Sequence, residues 1–178
     1  MKKIIVVAVV LFIALVTIGC RQQEQKKQQP ITYTPAAPPP AQLQIDQMAQ
    51  AAKLAPKNSK AWIDLGDALM DSQRFAEAID AYGKALALDP KNVNVLVDQG
   101  TCYRGVREFD KAVEQYRKAL KIDPNFPNAH RNLGVVLAFD LNKKPEAIKE
   151  LNRYLEIAPN APDAGAIKQT VQELMSRK

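Results

Sequence analysis

The chain has 178 residues, of which 47% are hydrophobic and 25% charged, and a formal charge of +6. This length allows one modest domain, and a composition poor in Gly but rich in Ala, Leu, Lys and Gln favours helices. The positive balance is a poor footprint for nucleic-acid binding and no such partner is expected, because Lys2, Lys3, Arg21, Lys26 and Lys27 oppose only Glu24 before residue 30 and the remainder is nearly neutral.

Residues 1–19 have the three-part layout of an export signal: basic Lys2-Lys3, an apolar run from Ile4 to Ile18 broken only by Thr17, and Gly19-Cys20 before the polar Arg21-Gln22-Gln23. The apolar run is about 15 residues, short of the roughly 20 that span a bilayer, which favours cleavage over a retained anchor. Thr17-Ile18-Gly19-Cys20 resembles the lipobox of bacterial lipoproteins, with Thr where Leu is usual. That resemblance implies lipid attachment at Cys20, membrane contact through the lipid, and export to the periplasmic face of an outer membrane if the host has one, since Arg21 and not Asp follows the cysteine.

Residues 20–41 are rich in Gln, Lys and Pro and have too few apolar side chains to fold. They are expected to form a disordered tether, extended along Pro35 to Pro40. The alternative is a proline-rich ligand at Pro38-Pro39-Pro40.

Residues 42–178 carry an internal repeat. Leu88-Asp89-Pro90 and Ile122-Asp123-Pro124 are 34 residues apart, and Ile157-Ala158-Pro159 follows after 35. Counting back from each proline, one unit contains Trp62, Leu65, Gly66, Leu69, Ala78, Tyr82 and Ala85. The next contains Leu96, Gly100, Tyr103, Ala112, Tyr116 and Ala119. The last contains His130, Leu133, Gly134, Leu137, Ala147, Leu151 and Tyr154. Small residues let two helices approach and large ones fill the gaps between them. Turns are expected at Ser72-Gln73-Arg74, Gly105-Val106-Arg107 and Asn142-Lys143-Lys144, with one extra residue in the third unit near Asp140 to Lys144.

Over residues 59–161 these positions resemble the tetratricopeptide-repeat (TPR) family, most specifically at Trp62-Ile63-Asp64-Leu65-Gly66. The resemblance implies an all-α solenoid of helical hairpins with repeats at about 59–92, 93–126 and 127–161. Helices before the repeats and at 162–176 act as caps.

The resemblance also implies a peptide-binding groove lined by the first helix of each hairpin. In the first unit the matching positions are Lys60, Ile63, Asp64, Asp67, Met70 and Asp71. In the second they are Asn94, Val97, Asp98, Thr101, Arg104 and Gly105, and in the third Asn128, Arg131, Asn132, Val135, Ala138 and Phe139. Asp64, Asp67, Asp71 and Asp98 give the groove an acidic beginning, and Arg104 and Arg131 a basic continuation. A peptide with one basic and one acidic end suits it; a solvated charged surface is the alternative. Some TPR domains clamp a C-terminal carboxylate with Lys and Asn where this chain has Ile63 and Asp67, which disfavours that ligand.

One histidine, and serines only at 59, 72 and 176, do not make a catalytic constellation, and no cofactor or metal motif is present in the sequence. His130 and Cys102 read as packing residues. The expectation is a lipid-anchored, non-enzymatic protein-binding scaffold in assembly of envelope structures such as pili, secretion pores or outer-membrane complexes. Holding apocytochrome during cytochrome c maturation, or building an oligomeric envelope complex, are the competing expectations.

Overall fold

The structure, a computed structural model, describes residues 40–176. The expected signal, Cys20 and the tether up to residue 39 lie outside the described residues. In chain order the helices are α1 (Pro40–Leu54), α2 (Ser59–Asp71), α3 (Phe75–Leu88), α4 (Val93–Gly105), α5 (Phe109–Ile122), α6 (Pro127–Val135), α7 (Lys144–Ile157) and α8 (Ala164–Ser176). A π-helical turn, Val136–Asp140, prolongs α6. Helix α1 begins two residues inside the segment expected to be tether, with proline in its first turn, where no backbone donor is lost.

Each helix packs mainly on its neighbours in sequence, and α4 also touches α6. The result is a helical-hairpin solenoid: α2–α3, α4–α5 and α6–α7 are the hairpins, and α1 and α8 are the capping helices. The turns between hairpins stop one helix and start the next. Asp89 and Asp123 each accept from the backbone two residues on, at Lys91 and Asn125. Asn58 and Asn92 then cap α2 and α4 by accepting from the Ala61 and Val95 amides.

Within hairpins the connection is the same three-residue turn each time. Its middle residue is left-handed, Gln73 at φ 59°, Arg107 at 65° and Asn142 at 51°, and the next amide reaches back into the first helix. Gly105, expected in the second turn, is instead the last residue of α4. A Cβ there would lie 2.5 Å from the Phe75 ring, so its lack of a side chain admits that ring.

The extra residue of the third unit also falls elsewhere than expected. The 141–143 turn is as short as its counterparts, and the insertion is absorbed earlier, where the Leu141 amide donates to the Val136 carbonyl five residues back. One residue is thereby added inside the helix as a π-turn, a local widening that leaves the turn unchanged.

The core repeats with the hairpins. Gly66 faces Tyr82, Gly100 faces Tyr116 and Gly134 faces Leu151, each with a notional Cβ within 2.6 Å of the facing side chain. Tyr82, Tyr116 and Leu151 are all fully buried. Tyr154 stands where the earlier hairpins have Ala85 and Ala119. It fits because a single capping helix follows it, and its hydroxyl donates to Asp163 at the entry to α8.

Candidate functional site

The first helices α2, α4 and α6 share one face, as their side-chain contacts show. Asn132 Nδ2 donates to Thr101 Oγ1 at 3.4 Å, and Arg104 Nε donates to Asp140 Oδ2 at 2.6 Å. Asp67 is close enough to Asp98 to perturb its ionisation. These contacts bring Asp67, Asp98, Thr101, Arg104 and Asn132 together along one side of the solenoid, but these residues are not equally free.

Position 67 and its equivalents, 101 and 135, are matched to the second helix behind them. The Tyr82 hydroxyl donates to Asp67 Oδ1 at 2.7 Å. The Thr101 hydroxyl spends its proton on the Val97 carbonyl, so the Tyr116 hydroxyl donates to Thr101 Oγ1 at 3.3 Å. In the third hairpin, Val135 packs on the cluster containing Leu151, an apolar pair in place of a polar one. Burial and then hydrogen bonding to the Asp67 carboxylate push the Tyr82 hydroxyl far above its ordinary range; burial pushes Tyr116 up to about 12.

Val97 is not a groove residue: at 4% exposure it belongs to the core between the second and third hairpins. Ala138 is buried with it. Ile63 is half-buried against the first core cluster. The Asn94 and Asn128 side chains are exposed near the starts of their helices, and Asp71 is exposed at the end of α2. Lys60 and Asp64 form an exposed ion pair of 2.7 Å one helical turn apart. Phe139, in the π-turn, is 63% exposed, the most open phenylalanine among the described residues.

The expected basic end is already compensated. Arg104 pairs with Asp140, and Arg131 pairs with Asp163, which also accepts from Tyr154. The Tyr154 hydroxyl and the Arg131 guanidinium together hold the Asp163 carboxyl below its ordinary range. Neither aspartate was anticipated as an arginine partner, because 36 and 32 residues separate them in sequence and no local pattern joins them.

Asp67 and Asp98 lack any such compensation, since neither makes an ion pair among the described residues. Burial, and then the Asp67 charge, push Asp98 up to about 6. Because the folded state binds this proton more tightly than an unfolded aspartate does, the contribution of Asp98 to stability falls as pH rises from about 4 to about 6. Asp98→Asn removes that loss. The variant is expected to be more stable than the parent by about 1 kcal/mol at pH 7.5, allowing for solvent access at Asp98, and equal to it below pH 4, as urea unfolding at the two pH values would measure.

Cys102, below this pair, is fully buried, and burial followed by the Asp98 and Asp67 charges pushes its thiol up to about 12, which suppresses thiolate chemistry. A cleft of about 380 Å³ opens at the far end of the same face, between Phe75, Phe109, Thr101, Arg104 and Asp140. A larger one, of about 470 Å³, surrounds His130, Glu150 and Arg153 and contains none of the expected groove residues. No group of three or more His, Cys, Asp or Glu side chains suited to a metal occurs among the described residues.

Comparison with known proteins agrees with this architecture. Residues 59–92 match the tetratricopeptide repeat and residues 108–138 a TPR repeat model. No curated protein sequence matches the chain. Among solved structures, the crystal structure of MamA aligns at a TM-score of 0.67 and 21% identity, over 72% of this chain and 75% of that one. The Arabidopsis OM64 TPR domain aligns at 0.61 and 19% identity, over 65% and 94%. The first TPR of Spaghetti (RPAP3), solved bound to the HSP90 peptide SRMEEVD, aligns at 0.62 and 24% identity, over 66% and 93%. With its glycine and tyrosine packing, repeated turns and matched repeat segments, the chain belongs to the tetratricopeptide-repeat family of protein-interaction scaffolds.

Proposed function

We propose that this protein is a lipid-anchored scaffold of a bacterial cell envelope, holding a basic segment of a partner protein in the groove formed by α2, α4 and α6 during assembly of a pilus, secretion or outer-membrane complex. The observation that carries the groove reading is the Asp67–Asp98 pair: two carboxylates on adjacent first helices, neither of them in an ion pair among the described residues. A lysine or arginine of the ligand would relieve their repulsion. Arg104 and Arg131 have internal partners, so the acidic end of the ligand anticipated from sequence has no counterpart here. The peptide bound by the Spaghetti domain carries two Glu and one Asp against one Arg; an acidic ligand of that kind suits this groove poorly. The anchor reading rests on Thr17-Ile18-Gly19-Cys20.

A photocrosslinker at Phe139 in whole cells is expected to capture the partner. Asp67→Asn combined with Asp98→Asn should weaken that adduct at least tenfold, the loss of one desolvated charge contact. An undiminished adduct would return the two aspartates to the solvated surface. In the same cells, the mature protein should begin at Cys20 with a mass increment for a diacylglycerol. A chain that keeps residues 1–19 would refute the lipoprotein reading.

A further inference from the structure

We propose that His130 is held as an imidazolium, and that its second proton latches the third hairpin to the turn preceding it, making this joint sensitive to pH. The inference stands apart from the groove, because His130 lines the other cleft.

The repeat itself identifies the first proton. His130 occupies the position of Trp62 two units earlier, and Trp62 Nε1–H donates at 3.0 Å to the carbonyl of Pro56, six residues back. His130 Nε2 lies 3.0 Å from the carbonyl of Pro124, also six residues back. A carbonyl only accepts, so Nε2 carries a proton as the indole does.

The second ring nitrogen has no counterpart in tryptophan. His130 Nδ1 lies 2.7 Å from Glu150 Oε2 on α7. A carboxylate also only accepts, so a neutral ring would set a lone pair against an oxygen at hydrogen-bond distance, at a residue 8% exposed. With both nitrogens protonated, both contacts become donations and the Glu150 bond is charge-assisted.

The pair shares its cleft with charged neighbours of both signs. From α5 the cleft receives Leu120, and from α7 it receives Lys149, Glu150, Arg153 and Glu156. Arg153 is engaged by Glu156 and by the Asn125 side chain. In the turn, Asp123 is occupied by the Asn125 amide. The protonated ring thus joins the 123–126 turn, α6 and α7 through one residue. Loss of the proton removes the Glu150 bond, so that His130 holds the turn through Pro124 but no longer ties it to α7, leaving the Arg153–Asn125 contact as the side-chain bond between α7 and that turn.

His130 is the only histidine in the chain, so ¹⁵N-histidine labelling of the full chain in detergent gives two ring signals with no ambiguity of assignment. At about pH 7.5, one unit above the point where a free imidazole is half protonated, both nitrogens are expected to resonate as N–H. A bare Nδ1 at that pH overturns the proposal. Glu150→Gln offers an amide that can donate to a neutral ring or accept from a protonated one, so the joint no longer needs the second proton. In the parent, amide protection in α6 and α7 should fall about tenfold relative to α2 and α3 once the ring deprotonates, the loss of one charge-assisted bond. In Glu150→Gln that pH dependence should vanish; the same dependence in both proteins also overturns the latch. If the variant does not fold, the parent's ring signals decide the question.

Discussion

Tyr116→Ala is expected to destabilise the protein by about 4 kcal/mol, measured by urea unfolding, the largest effect of a single truncation on the groove side of the middle hairpin. The ring is 1% exposed and fills the hollow above Gly100, so alanine would leave a cavity that rigid neighbouring helices close only in part. One further loss accompanies it, at an oxygen that also serves the third hairpin. Thr101 loses the hydroxyl that donates to it, and Asn132 bonds to that same Thr101 oxygen from the third hairpin. Tyr116→Phe keeps the ring and removes only the hydroxyl, so it should cost about 1 kcal/mol. Because a solenoid is stabilised by contacts between neighbouring units, the truncation is also expected to broaden the transition, separating the first hairpin from the third.

Gly66→Val is the second large effect, expected to cost about 3 kcal/mol by the same measurement. Even a Cβ would sit 2.5 Å from Tyr82 Cε1 and 2.6 Å from Cδ1. The ring cannot retreat, being fully buried and fixed at its far end by the 2.7 Å bond to Asp67. Gly83→Ala provides the opposite sign. At that position in α3 a Cβ meets only Gln99 Nε2, at an ordinary 3.6 Å, so the substitution should stabilise by about 1 kcal/mol through helix propensity alone. Two glycines in successive helices thus respond oppositely because one is a packing surface and the other is not.

Much of the solenoid was legible because its determinants are local and repeated. The 34-residue spacing of Pro90 and Pro124, and the small and large residues between them, recur in hairpins of the same design. The π-turn was not placed correctly because an inserted residue shifts the downstream pattern equally whether it lengthens a turn or widens a helix. Only the Leu141-to-Val136 bond separates these cases. The candidate groove was legible as a set of residues and not as a distribution of charge. Family positions located Arg104 and Arg131, but their aspartate partners come from the following repeat and from the entry to α8, at separations that reflect superhelical geometry. Val97 was misassigned because a position that borders a groove in one hairpin lies against a neighbour's core in another. The one signal that could have revealed the role of His130 was its register with Trp62, since both place a ring nitrogen six residues after a turn carbonyl.

The arginine pairs on the groove face also bear on mechanics. Arg104 fastens α4 to the end of α6, and Arg131 fastens α6 to the entry of α8. Between α2 and α4 no ion pair spans that face among the described residues, and Asp67 and Asp98 repel across it. The superhelix is therefore sprung unevenly along its length, stiff at its later joints and compliant at the first. A cation seated between the two aspartates would draw α2 towards α4 and tighten the curvature there, so that the groove closes from its N-terminal end while the rest serves as the fixed jaw.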